Sequence, residues 1–316
     1  VKTIVTVTLN PAIDETIVLE ALTPGHVHRA VAVARHAGGK GVNVASCLAD
    51  WGCVDVSATG FIGSGNAGIF EALCAAKGVR DLFVRLPGET RTNIKLAHDG
   101  DTTDINLPGL PVTNAALGAL REVIGRLAGA ECIVLLGGSL PPGVPGTIYA
   151  ELLAALRPTG ARVLLDTSGA PLTAALGGDV LPFCIKPNRA ELEAFCGRAL
   201  PGRDDVIVAA QSLRARGIAL VVISLGAEGA LFVGEQVLHA ALPALRAAST
   251  VGAGDAMVAG MIAAMAENAD LATTARLATA FAVGKLGQAG PNLPARDILD
   301  ALAGQVTIKI VEGVET

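Results

Sequence analysis

The sequence predicts an α/β fold carrying a small accessory β-sheet, and three observations lead there. From residue 113 onward, short runs of Val, Leu and Ile end in glycine-rich or polar turns and alternate with stretches of helical period, the rhythm of βα units. Two segments break that rhythm. Residues 15–37 lack helical period, and residues 91–107 alternate polar and apolar around the turn signal Asp99-Gly100. The composition agrees: 316 residues, 51% hydrophobic, 17% charged and 3% aromatic require a core of Ala, Val, Leu and Ile, and suit one large domain over 1–316.

The same composition excludes several function classes. A net charge of −5 with no block of Lys or Arg speaks against a nucleic-acid partner, so any anionic ligand must be held by local geometry. Six cysteines occur, at Cys47, Cys53, Cys74, Cys132, Cys184 and Cys196. None forms Cys-x-x-Cys and most sit in apolar runs, which reads as buried thiols in a reducing, cytoplasmic compartment rather than disulfides or zinc ligands. The apolar segments are interrupted by charges or glycine before 18 residues and no signal peptide heads the chain, so no transmembrane helix and no membrane partner are expected.

The elements follow in order. Thr3–Thr8 reads as a strand stopped at Asn10-Pro11, which puts Asp14 near the C-terminal end of a strand, where open α/β sheets bind ligands; an ordinary turn aspartate is the alternative. Thr16–Leu19 and Val27–Val33 read as short strands of the accessory sheet, joined by Thr23-Pro24-Gly25. Gly38-Gly39-Lys40-Gly41-Val42-Asn43 opens a helix reaching Trp51. It is not G-x-x-x-x-G-K-[ST], so it is not a Walker A loop; it suits a sugar or phosphate, or is a plain loop with a surface Lys. Val54–Thr59 is a strand, Gly60–Gly65 a turn and Ala67–Lys77 a helix. No G-x-G-x-x-G follows the first strand, which weakens a dehydrogenase reading.

Thr90–Leu96 and Thr103–Leu107 form the arms of the Asp99-Gly100 hairpin. Strand alternation places Arg91, Asn93 and Lys95 on one face, which is either solvated or grips an anion. A helix over Asn114–Leu127 precedes the buried strand Cys132–Leu136, whose end delivers Ser139 into a rigid loop. A helix from Pro145 leads to the strand Arg162–Asp166. Phe183–Lys186 then runs into Pro187-Asn188, where Asn188 and Glu191 have the spacing of a capping box. A helix near Asp205–Arg216, the strand Leu220–Ser224 and a hairpin around Gly234 follow. Helices at 252–267, Leu271–Leu286 and 297–303 precede an edge strand at Val306–Val311.

One stretch organises the rest: Ser249-Thr250-Val251-Gly252-Ala253-Gly254-Asp255, followed at once by an apolar, alanine-rich run. It reads as a tight turn opening a helix. The free N–H groups of the first helical turn, backed by the helix dipole, attract phosphate or an oxyanion whose charge grows during transfer. Asp255 is either a helix cap or a base aimed at a hydroxyl.

Together, Gly38–Asn43 and Thr250–Asp255 resemble the two signatures of the ribokinase/PfkB family of sugar kinases, and the resemblance runs from Thr8 to Pro294. Thr8–Asp14, Thr90–Lys95 and Thr103–Gly109 most resemble the members that phosphorylate fructose 1-phosphate, with those acting on tagatose 6-phosphate or fructose 6-phosphate as siblings. Ser249 departs from the Asp that many members carry. The resemblance implies a ribokinase-like three-layer α/β/α sandwich under a β-sheet lid drawn from about 15–37 and 91–107, and a homodimer through that lid. It implies ATP and Mg²⁺. Asp255 would be a base of ordinary pKa, and the N–H groups of Gly252, Ala253 and Gly254 would hold the transferring charge. Gly38, Gly39, Asp14 and Asn43 would meet the sugar. Lys40, Arg91 and Ser139 would bind its phosphate, with Lys95 and Arg29 nearby. Lys186, Ser224, Gly226, Gly229 and Gly254 would line the nucleotide site, and Asn188 and Glu191 would hold the shell of the metal ion. A non-catalytic sugar-phosphate sensor is the remaining alternative.

Overall fold

A computed structural model describes residues 2–99, 101–242 and 252–311. The expectations for Gly100, Ser249, Thr250 and Val251 lie outside the described residues. The chain opens with β1 (Thr3–Thr8), β2 (Ala12–Val18), β3 (Ala32–Gly38), α1 (Lys40–Trp51), β4 (Val56–Gly63) and α2 (Gly68–Lys77). It continues through β5 (Arg80–Asp81), β6 (Val84–Leu86), β7 (Thr92–His98), β8 (Asp101–Ile105), α3 (Asn114–Leu127), β9 (Cys132–Gly137) and α4 (Ile148–Leu156). Then come β10 (Arg162–Asp166), α5 (Gly169–Gly177), β11 (Cys184–Ile185), α6 (Arg189–Cys196), α7 (Arg203–Ala215) and β12 (Leu220–Ser224). The last elements are β13 (Ala230–Val233), β14 (Val237–Ala241), α8 (Ala253–Ala266), α9 (Leu271–Lys285), α10 (Arg296–Gln305) and β15 (Thr307–Ile310).

The main sheet has the order β15-β14-β13-β12-β11-β10-β9-β1-β4-β5, with β6 also pairing with β4. The strands from β4 to β12 run parallel, and β13, β14 and β15 close the far edge antiparallel. Alternate side chains divide between two cores. Ile4, Ile133, Leu135 and Val222 pack against α1, α2, α8, α9 and α10. Val5, Val7, Val134 and Val221 pack against α3 to α7. The fold is therefore three-layered, with both sheet faces covered, which is why its central strands are apolar throughout. Helix α8 is buried on all sides from Ala256 to Met265, and its sequence accordingly shows no polar face.

The order of connections sets the ligand crevice. The chain leaves β1 through α1 on one face to reach β4, and later returns through α3 on the other face to β9, on the opposite side of β1. Such a reversal opens a crevice beyond the C-terminal ends of the strands.

The second sheet, β3-β2-β7-β8, is formed by the two segments that broke the βα rhythm. One of its strands is displaced from expectation. The strand expected at Val27–Val33 instead runs from Ala32 to Gly38, in register with β2 from Val18↔Ala32 to Ala12↔Gly38. Val27 is 95% exposed, so the alternation around it has no sheet to serve; pairing to β2 decides the boundary over local pattern. Helix α5, to which the sequence reading assigned no element, carries the turn-forming Gly169 and Pro171 in its first turn.

Candidate active site

Helix α8 begins as expected, and its first turn bears on the cap reading of Asp255. The N-cap position belongs to Gly252, whose φ of 81° lies in the left-handed region and which offers no side-chain cap. Ala253, Gly254 and Asp255 are then the first three helical residues, and their N–H groups precede the first intrahelical bond, Ala256 N to Gly252 O. Asp255 does not fold back to cap the helix. Its Oδ2 accepts from Asn43 Nδ2 at 2.7 Å, and its Oδ1 lies 3.8 Å from Lys40 Nζ.

Lys40 and Asn43 reach this point because α1 starts unusually close to β1. A Cβ on Gly39, the N-cap of α1, would lie 2.8 Å from Thr8 Cγ2 and 3.0 Å from Pro11 Cα. Only glycine permits the approach. Lys40 Nζ also donates to Asp166 Oδ2 at 2.9 Å, and Lys186 Nζ lies 3.6 Å from Asp166 Oδ1. Asp166 is the last residue of β10 and is buried. Two lysines and two aspartates, from α1, β10, α8 and the connection after β11, thus share one site.

Their electrostatics are unequal. Burial works to raise the Asp166 carboxyl, but Lys186 and Lys40 outweigh it and hold the group below the usual carboxylate range. Burial raises Asp255 above that range; Lys40 and the Asn43 hydrogen bond offset only part of this, and the charge of Asp166 adds to it. Burial also opposes the charge of Lys40, yet Asp166 and Asp255 raise its proton affinity overall.

The sugar-side residues gather on the second sheet. Asp14 on β2 sits opposite Asn93 on β7. Asn93 Nδ2 donates to Asp14 Oδ1 at 3.5 Å, and Lys95 Nζ lies 3.6 Å from Asp14 Oδ2. Gly38 makes room for that carboxylate, since a Cβ there would fall 2.5 Å from Asp14 Oδ2. Asn93 Oδ1 is buried and, among the described residues, accepts no hydrogen bond, an acceptor open to a donor. A cavity of about 330 Å³ lies between this sheet and α8, lined among others by Asp14, His36, Asn43, Lys95, Gly252 and Lys285.

Arg91 lies just outside the strand that carries Asn93 and Lys95. It precedes β7, and its guanidinium donates to the carbonyls of Pro11 at 3.2 Å, Leu107 at 2.9 Å and Asn10 at 3.0 Å. It staples the two strand connections at the base of the second sheet, leaving two N–H groups. Ser139, in the loop after β9, accepts from Asn10 Nδ2 at 3.1 Å. Arg29 is exposed on the segment before β3, away from any element.

On the opposite flank, Lys186 follows β11 and stands 3.6 Å from where a Cβ of Gly254 would be. Asn188 and Glu191 form the expected capping box: Asn188 Oδ1 accepts from Glu191 N at 2.8 Å and Glu191 Oε2 from Asn188 N at 2.9 Å. Ser224 ends β12 and bridges to Asn188, and Gly226 and Gly229 bracket the short turn that follows. Among the described residues, no group of three or more His, Cys, Asp or Glu is arranged to hold a metal ion by itself. All six cysteines are free, and no described helix is long and apolar enough to cross a membrane.

Sequence reasoning missed Asp166 and Lys285. Asp166 had a signal, a charge closing an otherwise apolar strand. Lys285 had none, because a lysine in the last turn of a helix ordinarily complements the dipole.

Comparison with known proteins agrees with this architecture. Residues 7–298 match the pfkB family carbohydrate kinase pattern. A 1-phosphofructokinase from Xanthomonas campestris pv. campestris is 54% identical over 288 residues, covering 89% of this chain and 90% of that protein. A 1-phosphofructokinase from Rhodobacter capsulatus is 48% identical over 316 residues, covering 98% and 99%. Among solved structures, phosphofructokinase-2 from Escherichia coli in complex with fructose-6-phosphate superposes with a TM-score of 0.88 at 30% identity, over 96% of this chain and 99% of that one. With the signature glycines, the three layers and the Lys40–Asp166–Asp255 cluster all in place, the chain belongs to the pfkB family of carbohydrate kinases.

Proposed function

We propose that this chain transfers the γ-phosphoryl group of ATP to the 6-hydroxyl of D-fructose 1-phosphate, giving ADP and D-fructose 1,6-bisphosphate. The observation that carries the mechanism is the placement of Asp255: partly buried in the first turn of α8, with no capping bond among the described residues, and fixed by Asn43 and Lys40. The new bond forms from the sugar oxygen to phosphorus as the bond from phosphorus to the ADP oxygen breaks, and the hydroxyl proton passes to Asp255. An ordinary carboxylate would suffice for such a late proton transfer. The raised proton affinity of Asp255 brings it closer to the working pH and makes it a better base.

The N–H groups of Gly252, Ala253 and Gly254 face the charge of the transferring group. Lys40, clamped between Asp166 and Asp255, belongs at this reacting end rather than at the phosphate already on the sugar. Asp14 and Asn43 accept from and donate to sugar hydroxyls, and the unpartnered Asn93 Oδ1 supplies a further acceptor. Lys95, Ser139 and the two remaining Arg91 N–H groups are the candidates for the substrate phosphate. Ser224, Gly226, Gly229 and Lys186 line the nucleotide side. Mg²⁺ would neutralise charge on the ATP phosphates. The donors present fit an ion held mainly through water and phosphate oxygens: Glu191 keeps Oε1 outside its cap, and no three-carboxylate cage competes.

The relatives named 1-phosphofructokinase support fructose 1-phosphate over the sibling substrates. An ADP-release assay across fructose 1-phosphate, fructose 6-phosphate and tagatose 6-phosphate tests the choice. The highest kcat/KM is expected for fructose 1-phosphate. Preference for either other sugar would reassign the substrate, and sugar-phosphate binding without turnover would make the protein a sensor. The second sheet exposes Val33 at 54% and Ile105 at 44%, with Val31 at 64% just before β3, which supports pairing with a second copy through this lid. Sedimentation is expected to give a dimer at micromolar concentration, and a fully active monomer would contradict it.

A further inference from the structure

Lys285 ends α9 and is only 6% exposed. Its ammonium donates to the carbonyl oxygens of Gln288 at 2.8 Å and Gly290 at 2.6 Å. Lys40 and Lys186 both have Asp166 as a partner; among the described residues Lys285 has no carboxylate within ion-pair distance. Burial accordingly lowers its proton affinity. Two neutral carbonyls take two of its three N–H groups and leave its charge uncancelled.

The position of this charge is unfavourable for folding alone. The stem of Lys285 lies under Gly252, where an added Cβ would be 3.1 Å from Lys285 Cε. A cation behind a helix N-terminus opposes the dipole and becomes favourable only when an anion arrives in front of it. The turn that supplies the carbonyls is also held from its far side. Asp50 accepts from Leu293 N at 2.9 Å, Asn292 Nδ2 donates to Ala289 O at 2.9 Å, and Lys77 Nζ donates to Asn292 Oδ1 at 2.9 Å and to Asp50. Gly290 in turn abuts His36 of the second sheet, whose Nδ1 would lie 2.7 Å from a Cβ there.

We propose that Lys285 is a positioning residue for the phosphoryl-transfer site: its internal ammonium braces the 286–291 turn against Gly252 and adds positive potential behind the Gly252–Asp255 amides. The proposal rests on the kinase reading above. It does not place Lys285 in contact with substrate; Lys285 acts through the loop that it supports.

The test uses Lys285→Ala, which removes stem and charge, and Lys285→Met, which keeps a similar apolar stem. Both are expected to lower kcat about ten-fold or more, a barrier increase of about 1.4 kcal/mol, with the sugar KM nearly unchanged. Ammonium or methylammonium should restore part of the activity of Lys285→Ala, where space is open, and none of that of Lys285→Met, where the side chain fills it. The same amines should raise the melting temperature of Lys285→Ala and leave those of the parent and Lys285→Met unmoved. Should Lys285→Ala fail to fold, Lys285→Met decides alone. Its kcat remaining within about two-fold of the parent, or a loss in Lys285→Ala that no amine reverses, would overturn the proposal. A parent that turns over none of the three sugar phosphates would sink the kinase reading and the catalytic half of this proposal. The melting response would still report whether an internal cation site exists there.

Discussion

The end of β10 and the first turn of α8 each deliver an aspartate to Lys40, and the two are held in opposite conditions. Asp166 lies in the main sheet with two lysines around it, 2.9 Å and 3.6 Å away. Asp255 lies at a glycine-flanked turn with one amide at 2.7 Å and a lysine at 3.8 Å. The difference supports the proposed division of work, with Asp166 as framework and Asp255 as the base. A carboxylate depressed by two close cations is a poor proton acceptor and a strong anchor. One raised by burial and under-compensated is a costly ornament unless it takes up a proton during turnover. Environments that drive two neighbouring carboxyls apart assign them different work.

Removing the anchor should have the largest effect. Asp166→Asn leaves the buried Lys186 with a neutral partner, and breaking a buried pair in this way costs about 3–5 kcal/mol. A large drop in melting temperature is expected, with activity lost along with the fold. An Asp166→Asn variant that melts like the parent would erase the distinction between the two sites.

A smaller effect, opposite in sign, separates them by pH. Asp166 has a folded-state pKa below its unfolded value, so its stabilisation is present above the unfolded value, about 3.9, and is lost as pH falls through the folded one. Asp255 has a folded-state pKa above its unfolded value, so its favourable contribution is present at low pH and is lost as pH rises through the folded one. The deficit of Asp166→Asn should therefore shrink only below about pH 4. Asp255→Asn should melt at or above the parent at neutral pH, and that advantage should fade on acidification. Melting curves of both variants from acid to neutral pH check the pair of signs, and parallel curves would contradict them.

The same contrast explains what the sequence revealed. Helix Asn114–Leu127 and the strands Arg162–Asp166 and Leu220–Ser224 lie where apolar period placed them, because each buries a regular face against a covered sheet. Strand Ala32–Gly38 was displaced because its partner, not its own pattern, fixes it. Asp255 and Lys40 were legible because glycines mark close backbone approach on both sides of them. Asp166 was not, since an aspartate closing a strand carries no spacing signal and its meaning lies in a lysine 126 positions away. Arg91 was legible as a residue with a task but not as a staple, because backbone carbonyls leave no trace in a sequence.

The most direct test of the account is Asp255→Asn, because Asn retains the size and the hydrogen-bonding reach toward Asn43 and Lys40 while losing the ability to take a proton. Turnover of fructose 1-phosphate, ATP affinity and melting temperature should be measured on one preparation. The account predicts a folded variant that binds ATP as well as the parent or better, with kcat reduced at least ~10²-fold, the scale of a positioned base. A variant that melts like the parent and keeps more than about a tenth of its kcat would contradict a base acting on that scale.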